Sequence, residues 1–338
     1  MGRQVLLNDE DISKFVSNIP NVVQSAGGFG QVTINDINDI TGINIGGFWD
    51  INANNSPFFG AELSGFSIKI NIDGVRVFTG HVKEITANNE TRAATVSITS
   101  DLQKALDHGA IYVSDDFETP VNAIREIADL YKIKIDSGTF NKSNNFYDTD
   151  NVLINVNRVR PEGSVFGLIQ EIAAMACIRL YSINGVLYCD NSEVQTKPSL
   201  ATFTDRHIDG TINLYSNPIS TRLDKELING YYIETLQGAA TFGETQKQAK
   251  TINGGFDSSI QIKSLQAGVF LGELWIDYLN RVQNQIAFKI PKGYGVQLAL
   301  NDAVIIRNSL AGWDDITADL ISIDNTTQVT SDLIGLTR

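Results

Sequence analysis

A strand, a polar turn and a second strand near residue 80 recur at the C-terminal end of the chain, 238 positions later. Alternate positions of both copies are apolar, as a strand with one face on a core requires, and both turns are rich in Asn and Thr. The gapless alignment matches Thr79 with Thr317, Val82 with Leu320, Ile85 with Ile323, Val96 with Ile334, Ile98 with Leu336, and Thr99 with Thr337. This recurrence predicts two related β-barrels in one polypeptide, a layout typical of a duplicated ring-forming subunit.

Between the two copies, the apolar spacing changes to that of helices. Thr119-Pro120 predicts one helix start, because a hydroxyl caps the first turn and proline suits the first helical position. Ser164 predicts a second start, and that helix leads into a hairpin that turns on Asn184-Gly185. The apolar faces of the two helices are Val121, Ile124, Ile127 and Tyr131, and Val165, Leu168, Ile172 and Met175. We therefore expect a small α+β domain here.

Together these patterns predict a mainly β fold with an α+β insert. We expect a first tube-like β-barrel domain at 1–108, the α+β domain at 109–200, and a second tube-like β-barrel domain at 201–338. The strongest local signal is the hairpin on Asp73-Gly74, a pair that supplies the positive φ values of a type I′ turn. An inserted helix in the last third is expected to support its own barrel through one apolar stripe. That stripe consists of Leu271, Leu274, Trp275, Tyr278 and Val282.

Three polar stretches are predicted to be loops. Residues 36–60 and 236–256 are long and polar, so we expect neighbouring subunits, rather than the chain's own core, to order them. Their aromatic residues offer anchors that a partner could bury, namely Phe48, Trp49, Phe58, Phe59, Phe242 and Phe256. The Asn-rich stretch from Thr139 to Asn151 is predicted to be a surface loop.

The composition is that of a folded, acidic protein. Apolar residues make up 42% of the 338 residues and charged residues 19%, which disfavours disorder. The net charge of −13, without a basic block, disfavours direct binding to a phosphate backbone, which depends on clustered Lys and Arg. No apolar run is long enough for a signal peptide or a membrane span, so we expect the chain to fold in a cytoplasm.

The two cysteines, Cys177 and Cys189, lack the spacing of a metal or redox site. The turn at Asn184-Gly185 pairs Cys189 with Leu180 rather than with Cys177, so a disulfide is not expected. We predict that both thiols are buried apolar fillers.

Histidines and carboxylates also occur without a catalytic pattern. The three histidines are His81, His108 and His207, and the acidic groups are Asp9-Glu10-Asp11, Asp115-Asp116 and Asp314-Asp315. The histidines lie far apart in sequence, which disfavours a zinc site. The carboxylates stand among Asn, Thr and Gly, as solvated turn and cap residues do, and not in the apolar setting that raises the pKa of a catalytic acid. We expect no catalytic, cofactor-binding or metal-binding residue, and no enzyme activity.

The order of these parts resembles the baseplate hub protein of contractile-tailed phages and related injection devices, the group that includes the late-control D proteins. The resemblance spans nearly the whole chain. Its motifs are 5–13, Val77 to Val82, Val96 to Leu102, Phe166 to Asp190, Leu227 to Tyr232 and Leu300 to Ile306. Two features depart from the family pattern: Asn8-Asp9 replaces a glycine turn, and 36–60 is a long insertion.

The resemblance implies a mechanical function. Hubs of this family form homotrimers in which each subunit contributes two tube-like barrels, so that three chains present a pseudo-six-fold ring. One face docks the hexameric tail tube protein and the other holds the trimeric spike protein, beside other baseplate proteins. DNA passes through the channel without specific binding, and an acidic bore would repel its phosphates. The location implied is the tail baseplate of a virion assembled in the host cytoplasm, and the chain is expected to be the hub alone.

Two alternatives stay open on the sequence. One is a tail-associated enzyme that degrades the host cell wall with paired carboxylates. The other is a tail adaptor or distal ring of true six-fold symmetry. Subunit number and a wall-digestion assay separate the three hypotheses.

Overall fold

Strands dominate the chain in its computed structural model, which describes residues 2–157, 163–191, 199–206, 210–222, 230–243, 249–281, 284–325 and 329–337. The first nine strands are β1 (Arg3–Leu7), β2 (Glu10–Asp11), β3 (Val16–Asn18), β4 (Gln24–Ser25), β5 (Val32–Thr33), β6 (Asp39–Ile43), β7 (Ser67–Ile72), β8 (Val75–Asn88) and β9 (Ala93–Ser100). The middle of the chain contains α1 (Asp101–Leu106), α2 (Pro120–Leu130), α3 (Ser137–Thr149), β10 (Ile154–Val156), α4 (Val165–Ala176), β11 (Arg179–Ile183) and β12 (Val186–Asp190).

Eleven further strands and two helices follow among the described residues. They are β13 (Ala201–Thr204), β14 (Ile212–Asn213), β15 (Ile219–Arg222), β16 (Gly230–Thr235), β17 (Gly238–Gly243), β18 (Ala249–Asn253), β19 (Ile260–Ile262), α5 (Leu265–Arg281), β20 (Asn284–Pro291), α6 (Lys292–Gly295), β21 (Ala303–Asn308), β22 (Trp313–Asp324) and β23 (Thr330–Thr337). In the described part of the chain, no helix is long and apolar enough to span a bilayer.

Two large sheets share one strand order. The first runs β2-β1-β7-β8-β9-β6-β3, and the second runs β14-β13-β21-β22-β23-β20-β15, with β4 added beside β22. Numbered within each unit, both orders read 2-1-5-6-7-4-3. The directions of the strands agree except at one position, because β1 is antiparallel to β7 whereas β13 is parallel to β21. The recurring strand pairs therefore occupy the same topological positions, β8 and β9 in one sheet and β22 and β23 in the other.

The register corrects the alignment of the recurrence by one residue. Both units carry a register shift at the same aligned place, between Val82 and Glu84 in β8 and between Leu320 and Ser322 in β22. Ile85 pairs with Val96, whereas Ile323 pairs with Leu333. The gapless match of Val96 to Ile334 was therefore wrong, because the second copy has one residue fewer between the paired positions. A slip of one residue exchanges the two faces of a strand, and it is Leu333 that is buried.

Short turns fix the hairpins, as the sequence predicts. Asp73 and Gly74 have φ values of 49° and 82°, and Ile72 pairs with Val75 across them. Asn8-Asp9, which departs from a glycine turn in sequence, has φ values of 48° and 71° and connects β1 to β2. Asn and Asp tolerate this left-handed region better than other side chains that carry a Cβ, so the hairpin forms without glycine.

One hydrophobic core, which we call the middle core, buries residues of α2, α4 and β11. Its helices α2 and α4 begin at the predicted caps. The Thr119 hydroxyl accepts a hydrogen bond from Asn122 N at 3.2 Å, and the Ser164 hydroxyl accepts one from Gly167 N at 3.1 Å. The prediction of a loop from Thr139 to Asn151 was wrong, because this stretch forms α3. Asp136 caps α3, and the helix buries Phe140 and Tyr147 completely. Two aromatic anchors on one face outweigh the weak helix propensity of the intervening Asn and Ser residues.

The polar stretch 36–60 is ordered by the chain itself, contrary to the sequence prediction. It contains β6, which pairs with both β9 and β3. Trp49 and Phe58 are 0% and 1% exposed, and their rings stack with centroids 5.4 Å apart. Trp49 Nε1 donates a hydrogen bond to Phe15 O at 2.9 Å. Two buried aromatic rings therefore anchor this stretch on the first sheet, and Phe59 stays half exposed.

The inserted part of the last third packs on the middle core rather than on the second sheet. The strands β16, β17 and β18 form a separate three-stranded sheet, with Tyr231 and Ile233 buried beneath α5. Trp275 on α5 is buried in the same core as α2 and α4, and its Nε1 donates to Met175 O at 3.2 Å. The expectation that α5 supports its own barrel was therefore wrong. Val282 of the predicted stripe lies outside the described residues.

Candidate functional site

The two described histidines, His81 and His108, do not form a common site. His81 Nδ1 lies 3.3 Å from Asp101 Oδ1, and the His108 ring stacks on Tyr131 with centroids 6.4 Å apart. His207 lies outside the described residues. Within the described ranges, no three His, Cys, Asp or Glu side chains converge as a metal site would require.

The predicted acidic groups have local partners. Asp9 Oδ1 lies 2.6 Å from Lys69 Nζ, and Asp315 Oδ1 accepts a hydrogen bond from Arg307 Nε at 2.8 Å. Hydrogen bonds from the side chain and backbone of Ser13 hold the pKa of Asp11 below its ordinary value. Asp115 and Asp116 are exposed in a bend, but Asp314-Asp315 lies on β22 rather than in a turn.

The thiols behave as the sequence predicts. Cys177 and Cys189 are buried and are not joined in a disulfide bond, and Leu180 is the residue that pairs with Cys189. Burial raises the pKa of Cys189 to about 12, so its thiol stays protonated at neutral pH.

A carboxyl pair that the sequence analysis missed lies at the N-terminal end of α2. The Tyr112 hydroxyl lies 2.5 Å from Glu118 Oε1 and 2.8 Å from Glu126 Oε2. Ser114 Oγ donates to Glu118 Oε1 at 2.9 Å, and Asn122 Nδ2 donates to Glu118 Oε2 at 2.9 Å. Burial raises the pKa of Glu118, although hydrogen bonds from Tyr112 and Ser114 oppose that shift. One phenol thus bridges two carboxyl groups, one of which holds its proton unusually tightly.

Part of this cluster has a sequence signal. Glu118, Asn122 and Glu126 follow one another at intervals of four residues, a spacing that predicts one helical face, although Glu118 itself precedes α2. Tyr112 comes from the extended segment that precedes α2, and only the tertiary structure brings its hydroxyl to this face.

A segment that we call the clasp, residues 19–35, connects three hydrophobic cores: the core of the first sheet, the core of the second sheet and the middle core. In the clasp, β4 pairs with β22 of the second sheet, and Ala26 N donates to Ile321 O at 2.9 Å. Further along, β5 pairs in parallel with β11, where Val32 lies opposite Leu180. The chain then returns to the first sheet at β6. The clasp therefore starts beside the first sheet, pairs with a strand of the second sheet, and then pairs with a strand of the middle core.

Asn35 closes the clasp through four hydrogen bonds. Its Oδ1 accepts from Ser25 N at 2.9 Å, and its Nδ2 donates to Ser25 O and Ser182 O, both at 2.8 Å. Its backbone N donates to Ser182 Oγ at 2.8 Å. One asparagine thus ties β4, in the middle of the clasp, and the C-terminal end of the clasp to β11.

Arg179 links the β11–β12 hairpin to the second sheet. It is a buried arginine whose guanidinium donates to Asp190 on β12 and to Asn301 in the turn before β21. The guanidinium also lies 4.5 Å from the centroid of the Phe29 ring in the clasp. Asn301 Nδ2 donates in turn to the Tyr181 hydroxyl at 3.0 Å. This cluster fixes the second sheet against the hairpin with directional, charge-assisted contacts.

A groove of about 670 Å³ lies where the two large sheets approach each other. Its lining includes Asn21 and Gln24 of the clasp, Val77 of the first sheet, and Lys292 and Ile323 beside the second sheet. Asp36 also lines the groove, and burial raises the pKa of its carboxyl group. The groove marks the joint between the two sheets rather than a site with convergent reactive groups.

Known structures share this architecture, although the sequence matches no protein family and no curated protein. The tail protein from Neisseria meningitidis MC58 aligns with a TM-score of 0.59 at 13% identity, over 100% of this chain and 97% of that chain. The 43 kDa tail protein of prophage MuSo2 from Shewanella oneidensis gives 0.54 at 11% identity, over 99% and 98%. Prophage tail protein gp18 from Listeria monocytogenes EGD-e gives 0.53 at 9% identity, over 98% and 94%.

These matches are whole-chain matches at low sequence identity, so they compare folds and not individual residues. The described elements carry no converging catalytic constellation among the residues that the sequence singled out. What the chain shares with these three structures is the overall fold. The chain therefore shares the mainly β fold of these three tail proteins.

Proposed function

We propose that this chain is the hub subunit of a phage tail baseplate. In this function it forms a homotrimeric, pseudo-six-fold ring that joins the hexameric tail tube to the trimeric spike and lines the DNA channel. The similarity to tail proteins in fold supports a structural function in a virion tail. The proposed domains are those predicted from the sequence, with two exceptions. The clasp pairs with the second sheet and the middle core, and residues 230–281 pack on the middle core.

The observation that carries the proposal is the strand order 2-1-5-6-7-4-3, which occurs twice in one chain. A three-fold assembly with two related units in each subunit presents six similar units around its axis. Such a ring can meet a six-fold partner on one face and a three-fold partner on the other. A single unit in each chain would match only one of these symmetries.

The charge of the chain supports passage of DNA without binding. Its net charge is −13, so a ring of three chains repels phosphate at long range. Specific or tight DNA binding would need clustered cations to displace counterions. Tail tube protein, spike protein and other baseplate proteins are therefore the proposed partners, and DNA is a passing molecule.

The mass of the native assembly tests the proposal. Native mass spectrometry of the purified full chain is expected to give three copies. Six copies would favour a tail adaptor or distal ring, and one or two copies would contradict the hub assignment. Binding of the trimer to preassembled tail tube, read by electron microscopy as a cap at one tube end, is the second expected result.

The carboxyl pair Glu118 and Glu126 is the observation that favours the alternative of a wall-degrading enzyme. A carboxyl group with a raised pKa beside a second carboxyl group is the arrangement of glycoside hydrolysis. We expect no release of reducing sugars or peptides from cell walls by the purified chain. Release that disappears in Glu118→Gln, with the fold intact, would favour the enzyme over the hub.

A further inference from the structure

Strand β17 is the end strand of the three-stranded sheet β17-β16-β18. On one side it pairs with β16 over six residues, from Gly230 opposite Gly243 to Thr235 opposite Gly238. In the described part of the chain, no strand pairs with its other edge. Five of its six residues are exposed. A row of main-chain N–H and C=O groups on such an edge is a template for another strand.

The sequence of β17 makes this edge different from the others. Its residues are Gly-Ala-Ala-Thr-Phe-Gly, without a charge or a proline, and its register with β16 is continuous. Four other described edge strands have features that usually block pairing. Strands β2 and β14 have two residues each, β3 contains a register shift, and β18 carries Lys250. These four edges are protected, whereas β17 is able to accept a strand.

Helix α5 packs on one face of this sheet and leaves the edge of β17 open to another strand. Helix α5 covers the inner face, where a Cβ on Gly272 would lie 2.5 Å from the Tyr231 ring and one on Gly268 would lie 2.5 Å from Ile233. The Phe242 ring stacks on Tyr231 with centroids 5.0 Å apart and keeps 38% of its surface exposed. On the outer face Tyr232 is also 38% exposed. An added strand would thus pair with the backbone of β17 and have an exposed aromatic side chain nearby on each face of the sheet.

We propose that the open edge of β17 pairs with an extended strand of a neighbouring copy of this chain. This inference rests on the proposed trimer and specifies its interface. Copies that each carry −13 charges repel one another, so an uncharged strip is where they approach at the least electrostatic cost. In a cyclic trimer the contact is heterologous, so β17 meets a different strand of its neighbour. Strand β15 is the end strand of the second sheet, exposes Ile219 at 67%, and is the segment we assign to this contact.

Two matched threonines test the edge. Tyr232 lies between Thr241 on β17 and Thr251 on β18, and both threonines are exposed. Thr241→Lys places a charge on the proposed interface, and Thr251→Lys places the same charge on the opposite side of the sheet. We expect Thr241→Lys to weaken the trimer about tenfold or more in dilution mass photometry, and Thr251→Lys to leave it unchanged. Equal circular dichroism and thermal midpoints confirm that both variants fold.

Cross-linking tests the assigned neighbour strand. The full chain with Ser220→Cys and Thr241→Cys is treated with a short bismaleimide, and the buried native thiols keep the background low. We expect species of two and three linked chains, and none with either cysteine alone. If the wild type is not a trimer, both the hub proposal and this interface fail. If it is a trimer but Thr241→Lys behaves like Thr251→Lys, or no intermolecular link forms, the edge proposal alone is wrong.

Discussion

At the scale of single residues, Glu118 makes stability depend on pH. Burial raises its pKa, so the folded chain binds this proton more tightly than the unfolded chain does. The free energy of unfolding therefore falls as pH rises from the ordinary glutamate value of about 4.3 through the raised value. Glu118→Gln removes this titration. We expect the variant to gain stability relative to wild type across that range, measured by urea unfolding at about pH 4.5, 5.5 and 7. A difference that does not vary with pH would contradict the assignment.

Asp115 and Asp116, unlike Glu118, are exposed carboxylates in a bend, so their side chains should contribute little to stability. We expect the double substitution by Asn to change the free energy of unfolding by no more than about 0.5 kcal/mol. The native mass of the assembly should also stay the same. Loss of phage infectivity with intact particles would instead indicate a chemical function for this pair.

At the scale of elements, α5 stabilises the middle core through Trp275. Removal of a buried aromatic ring costs about 3–5 kcal/mol, and Trp275→Ala also leaves Met175 O without its hydrogen bond. We expect a loss of that size in urea unfolding. Phe256→Ala is the control, because Phe256 is 72% exposed and its removal should cost no more than about 0.5 kcal/mol. Equal effects of the two variants would contradict the packing described for α5.

The clasp is the second element with a measurable contribution. Asn35→Ala leaves Ser25 N, Ser25 O and Ser182 O without their side-chain partner. Because an unsatisfied buried polar group costs about 1–3 kcal/mol and these groups are partly buried, we expect a loss within that range. Asn38→Ala, an exposed asparagine three residues later, should have little effect. A neutral Asn35→Ala would mean that backbone pairing alone holds the clasp.

At the scale of the whole molecule, the three cores are interleaved rather than sequential. The clasp crosses from the first sheet to the second, and residues 230–281 of the last third complete the middle core. Because the clasp contributes Val32 to the middle core and Ala26 to the core of the second sheet, we expect one cooperative unfolding transition for the full chain, seen at the same temperature by tryptophan fluorescence and circular dichroism. Two separate transitions would indicate that the sheets unfold independently.

Much of the local structure follows from the sequence by itself. Asp73-Gly74 and Asn184-Gly185 set their hairpins because few residues adopt positive φ, and Thr119 and Ser164 start helices because their hydroxyls satisfy backbone N–H groups. The recurrence also indicates the related units. The turn and cap signals involve neighbours along the chain, so their physical causes are visible in a short stretch of sequence.

Other features depend on contacts between distant residues, and only the tertiary structure decides them. The face that β23 turns to the core follows from its register with β22, where Leu333 rather than Ile334 lies inward. Helix α3 forms because Phe140 and Tyr147 find a core, and Trp49 is ordered by the backbone of Phe15. Tyr112 contacts Glu118 and Glu126 through the packing of its segment against α2. Burial and register are properties of the assembled chain, so a pattern of residue types predicts the elements but not which core each one joins.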